Sequence, residues 1–173
     1  MSEIGFRTVC EADQPLLFEL YASTRESEMD LVPWTAEQKR MFLEMQFHAQ
    51  RQSYREHYPA AVHDLILFDC RPVGRVYADR SAGRLHILDI TIAAADRNAG
   101  IGTRVLEQLL QEADSAGWPV SIYVEDFNPS RRLFERLGFQ AAKQDGFLLL
   151  LERPASGRAA GLSMPAEAAS SND

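Results

Sequence analysis

Apolar residues recur at helical spacing in four stretches of the chain and at strand spacing in seven. A short strand is expected over residues 3–10, with Ile4, Phe6 and Thr8 on one face. Glu11 or Asp13 caps a helix reaching about residue 25, marked by Leu16, Leu17, Leu20 and Tyr21. An acidic loop, residues 26–33, follows. Thr35 and Gln38 then form a capping-box pattern ahead of a long helix over residues 36–58. Its predicted apolar face is Met41, Phe42, Met45 and Ala49. Residues 62–70 and 73–79 make a hairpin around the Asp69–Pro72 turn. Residues 85–92 form a near-continuous apolar strand, as expected of one covered on both faces. Ile101, Val105, Leu106, Leu109, Leu110 and Ala113 form one stripe of a helix over residues 100–116, stopped by Gly117. Val120, Ile122 and Val124 alternate with Ser121, Tyr123 and Glu125. A short helix over residues 128–137 and a last hairpin, 139–143 with 146–152 around Asp145-Gly146, complete the pattern.

The predicted order is β-α-α-β-β-β-α-β-α-β-β. Antiparallel hairpins with one strand-helix-strand crossover indicate an α+β (mixed α/β) domain, not a doubly wound one. The domain is expected over residues 1–153. From residue 154 to 173, Ala, Ser, Gly and Pro dominate, and too little apolar surface remains to offset ordering entropy. A disordered tail is therefore expected there.

The 173 residues suit one domain, and the net charge of −7 argues against nucleic-acid binding, which needs a basic face. Neither a leader pattern nor a run long enough to span a membrane is apparent, so the chain reads as soluble and cytoplasmic. Cys10 and Cys70 are read as reduced, buried thiols, because two cysteines make no disulfide framework. His48, His57, His63 and His86 are scattered, and no metal is expected.

Chemistry is most legible at Arg97-Asn98-Ala99-Gly100-Ile101-Gly102-Thr103, where a strand leads into a helix. Two glycines let a ligand approach the backbone. The first helical turn presents free amides and the positive end of its dipole, an environment suited to pyrophosphate. A dinucleotide fingerprint would need a third glycine, and position 105 is Val. A turn that is purely structural is the alternative.

Arg97-x-x-Gly100-x-Gly102 resembles the acetyl-CoA pyrophosphate motif of the GNAT N-acetyltransferases. Asn128 to Phe139, with Leu133, Phe134 and Gly138, resembles that family's second motif, about 26 residues further on. The resemblance covers roughly residues 3–152. It implies the GNAT fold: a central, mostly antiparallel twisted sheet of six to seven strands flanked by about four helices. It also implies acetyl-CoA as co-substrate and a cytoplasmic N-acetyltransferase acting on a small-molecule or amino-acid amine. A protein or peptide N-acetyltransferase and a weakly catalytic CoA-binding module are the alternatives. By the same resemblance, Ile90, Thr91 and Ile92 pair with the pantetheine arm, and an amide near Ile92 polarises the thioester carbonyl. Arg97 to Thr103 hold the pyrophosphate, and Asn128 and Arg131 complete the cofactor site.

Acyl transfer to an alkylamine of pKa about 10 needs a base, since only roughly 0.1 % is neutral at pH 7. The family's usual acid is a Tyr where this chain has Phe134. Glu125 is the preferred base, Tyr123 the substitute acid and Asp89 a second base. Asp89 also reads as a structural ion-pair member. Glu26, Glu28 and Asp30 beside Trp34 suit a cationic acceptor, whereas Arg51 suits an acceptor carboxylate. The apolar run over residues 148–151 would permit a homodimer, and equally a core strand.

Overall fold

The computed structural model describes residues 3–156. β1 (Ile4–Thr8) and a single 3-10 turn lead into α1 (Gln14–Thr24), α2 (Glu26–Asp30) and α3 (Ala36–His57). β2 (Val62–Phe68), β3 (Arg71–Asp79) and β4 (Leu85–Ile92) form a meander. After a second 3-10 turn come α4 (Ile101–Ala116), β5 (Val120–Glu125), α5 (Arg131–Arg136), β6 (Gln140–Asp145) and β7 (Leu148–Arg153). One sheet contains all seven strands in the order β1-β2-β3-β4-β5-β7-β6. Every pairing is antiparallel except β4 with β5. The expected fold class holds.

The two faces of the sheet differ in chemistry. On one face, the full α4 stripe from Ile101 to Ala113 buries against Val76, Leu85, Ile87, Val120, Ile122 and Val124, and Phe134 joins it from α5. On the other, α1 and α3 build a smaller cluster of Leu17, Phe18, Tyr21, Leu43, Phe47 and Leu65. Phe47 stacks edge-on against Phe18, with ring centroids 5.8 Å apart.

The inward stripe of α3 is not the predicted one. Met41 is 64 % exposed and Met45 58 % exposed, while Leu43 and Phe47 face the sheet. That stripe continues with Gln50 and Tyr54, which turn polar over the β3–β4 surface: Gln50 Oε1 accepts from Arg75 and the Tyr54 hydroxyl donates to Leu88 O. The hydrophobic pattern alone therefore favours the wrong phase. The acidic segment expected as a loop is helical over α2, closed by Met29 N–H to Arg25 O at 2.9 Å and an Arg25–Glu28 pair at 3.0 Å. Cys10 and Cys70 are free but exposed, correcting the expectation of buried thiols. The expected tail lies, beyond Ser156, outside the described residues. Among the described residues no helix is long and apolar enough to cross a membrane.

The observed phase of α3 has a direct test. Phe47→Ala is expected to lose about 3–5 kcal/mol of stability, and Met45→Ser to stay within about 0.5 kcal/mol of wild type, both by urea denaturation. Equal losses would restore the predicted face.

Candidate functional site

The parallel ladder between β4 and β5 lasts only three residue pairs: Leu85 with Val120, His86 with Ser121 and Ile87 with Ile122. Beyond it, β4 stays paired to β3 as far as Ile92, and β5 stays paired to β7 as far as Glu125. The two strands therefore diverge. The register of β4 on β3 slips between Tyr77 and Ala78, leaving Leu88 as an extra residue. Such a bulge bends its strand. Among the described residues, no strand pairs with residues 88–92 on the β5 side.

A cleft of about 770 Å³ passes through this opening. Ile90, Thr91 and Ile92 form its floor. Ser23, Thr24, Glu26 and Asp30 line it from α1 and α2. Gly100, Ile101, Gly102 and Thr103 line it from α4, and Asn128 and Phe134 from the α5 region. The volume falls within the roughly 300–1,000 Å³ of ordinary ligand pockets.

The turn before α4 is built for a close backbone approach. Gly100 sits at φ 76°, where a side chain is strained, and Asn98 takes the same region at φ 62°. A Cβ on Gly100 would meet nothing within 4 Å, and one on Gly102 only Ile92 Cγ1 at 3.7 Å. Internal packing does not demand a glycine at 102. The space above it opens on the cleft. The first intrahelical bond near this end runs from Arg104 N–H to Gly100 O at 3.1 Å. The amides of residues 101–103 precede it and have no acceptor within the helix. Arg97 braces the site from behind: its Nε donates to Ile92 O at 3.0 Å and its Nη2 to Ser23 Oγ at 3.0 Å. A cradle of amides with free space is what a pyrophosphate requires. Glu26 and Asp30 give the facing wall the opposite charge.

The sequence-predicted residues divide. Ile90, Thr91, Ile92, Arg97, Asn98, Gly100, Ile101, Gly102, Thr103 and Asn128 all line the cleft; Ala99 and Arg131 do not. The Arg131 guanidinium is held by Asp126 and Glu135 at 3.0 and 2.9 Å. Asn128 lines the cleft, and its Oδ1 accepts from Ser130 N–H at 2.9 Å; Ser130, not Asn128, is the N-cap of α5, so Asn128 shapes the turn that leads into the helix instead of capping it. Phe134 is buried edge-on against Phe139, with ring centroids 5.4 Å apart.

Tyr123 and Glu125 share one face of β5, the face under α1 and α3. Glu125 Oε1 lies 3.5 Å from Arg25 Nη1 at the end of α1. Asp89 is paired to the buried guanidinium of Arg75 and accepts from Thr91 Oγ1 at 3.1 Å. None of these three lines the cleft proper; they flank it. His86 and Arg75, which sequence reasoning did not single out, join this polar face. His86 is 6 % exposed, and its Nδ1 lies 2.8 Å from Ser121 Oγ. It stacks on Tyr58 and meets Tyr123 edge-on at 5.8 Å. Its cross-strand partner Ser121 becomes visible only with the strand register.

Comparison with known proteins agrees with this geometry. The Acetyltransferase (GNAT) family pattern matches residues 17–139. The chain belongs to this family. A search of curated proteins by sequence found no match. Among solved structures, this GNAT chain is similar to the PaiA N-acetyltransferase from Thermoplasma acidophilum in complex with coenzyme A. The TM-score is 0.67 at 14 % identity, covering 88 % of this chain and 99 % of that one. The ribosomal-protein-S18-alanine N-acetyltransferase from Escherichia coli gives 0.61 at 18 %, covering 95 % and 99 %. An acetyltransferase from Thermus thermophilus gives 0.59 at 21 %, covering 87 % and 96 %. These likenesses establish the GNAT fold.

Burial pushes the pKa of His86 below its ordinary 6.5, with repulsion from Arg84 adding to the shift. The unfolded chain therefore binds this proton first as pH falls, and stability drops below about pH 6.5. His86→Phe is expected to flatten the stability–pH curve on the acid side of 6.5. The His86 ring signals are expected to titrate below that pH by NMR. A midpoint at or above 6.5 would contradict the assignment.

Proposed function

We propose that this chain is an N-acetyltransferase that transfers an acetyl group from acetyl-CoA to the primary amine of a small molecule or amino acid. The observation that carries this reading is the coincidence in one cleft of an open glycine turn with the Ile90–Ile92 edge of β4, which no strand among the described residues pairs on the β5 side. The relative solved with coenzyme A has this fold and supports the choice of cofactor. The carboxylates of Glu26, Asp30 and Glu125 around the opening favour a cationic acceptor over an anionic one.

Acetyl-CoA supplies an activated thioester carbonyl. The amides of residues 101–103 and the α4 dipole hold the pyrophosphate, and the unpaired edge of Ile90–Ile92 aligns the arm. In this reading an amide near Ile92 donates to the developing oxyanion, a role that lowers the barrier because a backbone dipole is already oriented. Glu125 removes the ammonium proton, directly or through water, and Arg25 beside it orients the carboxylate. Tyr123, 46 % exposed on the same face, is the proton donor available where Phe134 offers none.

The test pairs binding with turnover. Acetyl-CoA at about 100 times Kd is expected to add roughly 2.7 kcal/mol, a rise of about 5–10 °C in Tm. Gly102→Glu is expected to stay folded, since an acid suits a first helical turn, yet to lose that rise. Amine-dependent CoA release from a panel of small amines should fall roughly 100-fold in Glu125→Gln. Release only with peptide N-termini would reassign the acceptor. Absence of both release and Tm rise would overturn the reading.

A further inference from the structure

A second pocket of about 230 Å³ lies where the 3-10 turn after β1, the C-terminal half of α3 and the start of β2 meet. It shares no lining residue with the cleft through the sheet. Two guanidiniums, Arg51 and Arg55, enter it from successive turns of α3, and His63 and Gln14 line it from opposite sides. Among the described residues, no carboxylate lies within salt-bridge distance of Arg51 or Arg55. By contrast, Arg7, Arg25, Arg40, Arg71, Arg75, Arg80, Arg131 and Arg153 are all paired. Two polar atoms in the lining, His63 Nε2 and Gln14 Oε1, are buried without a hydrogen-bond partner. A buried polar atom left unsatisfied is costly. Two such atoms and two guanidiniums without a carboxylate partner converge on one pocket; Arg51 rests over the Phe47 ring at 5.5 Å.

We propose that this pocket binds a small oxyanion, a carboxylate or phosphate group, clamped between Arg51 and Arg55 and hydrogen-bonded by His63. Guanidiniums match the planar or tetrahedral oxygens of such groups. His63 in its Nε2–H form donates to the anion, and the Gln14 amide, turned over so that its nitrogen points inward, does the same. Glu11 is the one carboxylate lining the pocket; it is exposed and leaves the pocket with net positive charge. The local field agrees. Burial, then Arg75, Arg51 and Arg55, push His63 from 6.5 to about 4. Burial followed by repulsion from Arg55 lowers Arg51. An anion relieves both repulsions.

The pocket is also wired to the cleft by direct contacts. His63 stacks on Tyr77, centroids 4.6 Å apart, and Tyr77 meets Tyr54 edge-on at 5.2 Å. The Tyr54 hydroxyl holds Leu88 O, the bulged residue of β4, at 3.1 Å. The proposal stands independently of the acetyl-transfer reading, because it uses none of the cofactor residues.

Inorganic phosphate and, separately, acetate are titrated into the full chain at constant ionic strength, with the His63 imidazole followed by ¹H–¹⁵N NMR. The same titration in Gly102→Glu removes any contribution from the glycine turn. Saturable His63 shifts are expected in both proteins, weakened about tenfold for each arginine removed in Arg55→Gln and in Arg51→Gln/Arg55→Gln. Arg55 is exposed, so the single variant keeps the test interpretable if the double variant unfolds. Tighter binding of acetate assigns a carboxylate-bearing ligand, and tighter binding of phosphate a phosphate-bearing one. A His63 signal that is unmoved, that moves equally with chloride, or that is insensitive to Arg55→Gln overturns the proposal.

Discussion

The fold turns on a hydrogen-bond ladder that stops early. β4 and β5 run parallel, and parallel strands need a crossover, here the turn and α4. Their ladder begins at Leu85–Val120 and ends at Ile87–Ile122. From there β3 draws β4 one way and β7 draws β5 the other, and the bulge at Leu88 sets the bend. A backbone edge inside a domain carries donors and acceptors that require partners. Among the described residues, Ile90, Thr91 and Ile92 meet a cleft instead of a strand. An extended ligand rich in amides can complete the sheet there, as an added strand does in peptide recognition.

Both neighbours of that opening are arranged around it. Below, the α4 stripe and the apolar side of β4 and β5 form the main core, which fixes the glycine turn relative to the strand. Gly74 of β3 lies opposite Ile92, and a Cβ there would collide with the Thr91 carbonyl, so β3 and β4 approach closely just where the cleft needs a rigid floor. Above, α1 and α3 cover a surface that is apolar only at its far end. Toward the opening it carries Arg75, Asp89, His86, Tyr123 and Glu125. A polar sheet face beneath helices is costly unless its groups pair with one another or with a substrate. Arg75 with Asp89, and His86 with Ser121, do the first; Glu125 and Tyr123, part exposed, are left for the second.

Much of this was legible in the sequence because local physics and tertiary demand agreed. The α4 stripe, the β5 alternation and the Thr35–Gln38 cap each appear as read, and ten of the twelve cofactor-site positions line one cleft. The misses share a cause. The apolar spacing of Met41, Phe42, Met45 and Ala49 favours one phase for α3, whereas the inward stripe of Leu43 and Phe47 turns polar at Gln50 and Tyr54, over Arg75 and Leu88. His86 gains its partner Ser121 only through the β4–β5 register, which spacing along the chain does not reveal. Arg131 has the right motif position, yet Asp126 and Glu135 hold its guanidinium. Partner choice among charged side chains depends on spatial neighbours, which spacing along the chain does not encode.

Amide hydrogen exchange reports most directly on the claim that the open β4 edge receives the cofactor arm. Exchange at residues 88–92 and 101–104 is to be compared with and without acetyl-CoA. The account requires slower exchange at both segments together, with little change in β1 and β2. Exchange that slows at neither segment, or only at surfaces remote from the opening, would contradict it.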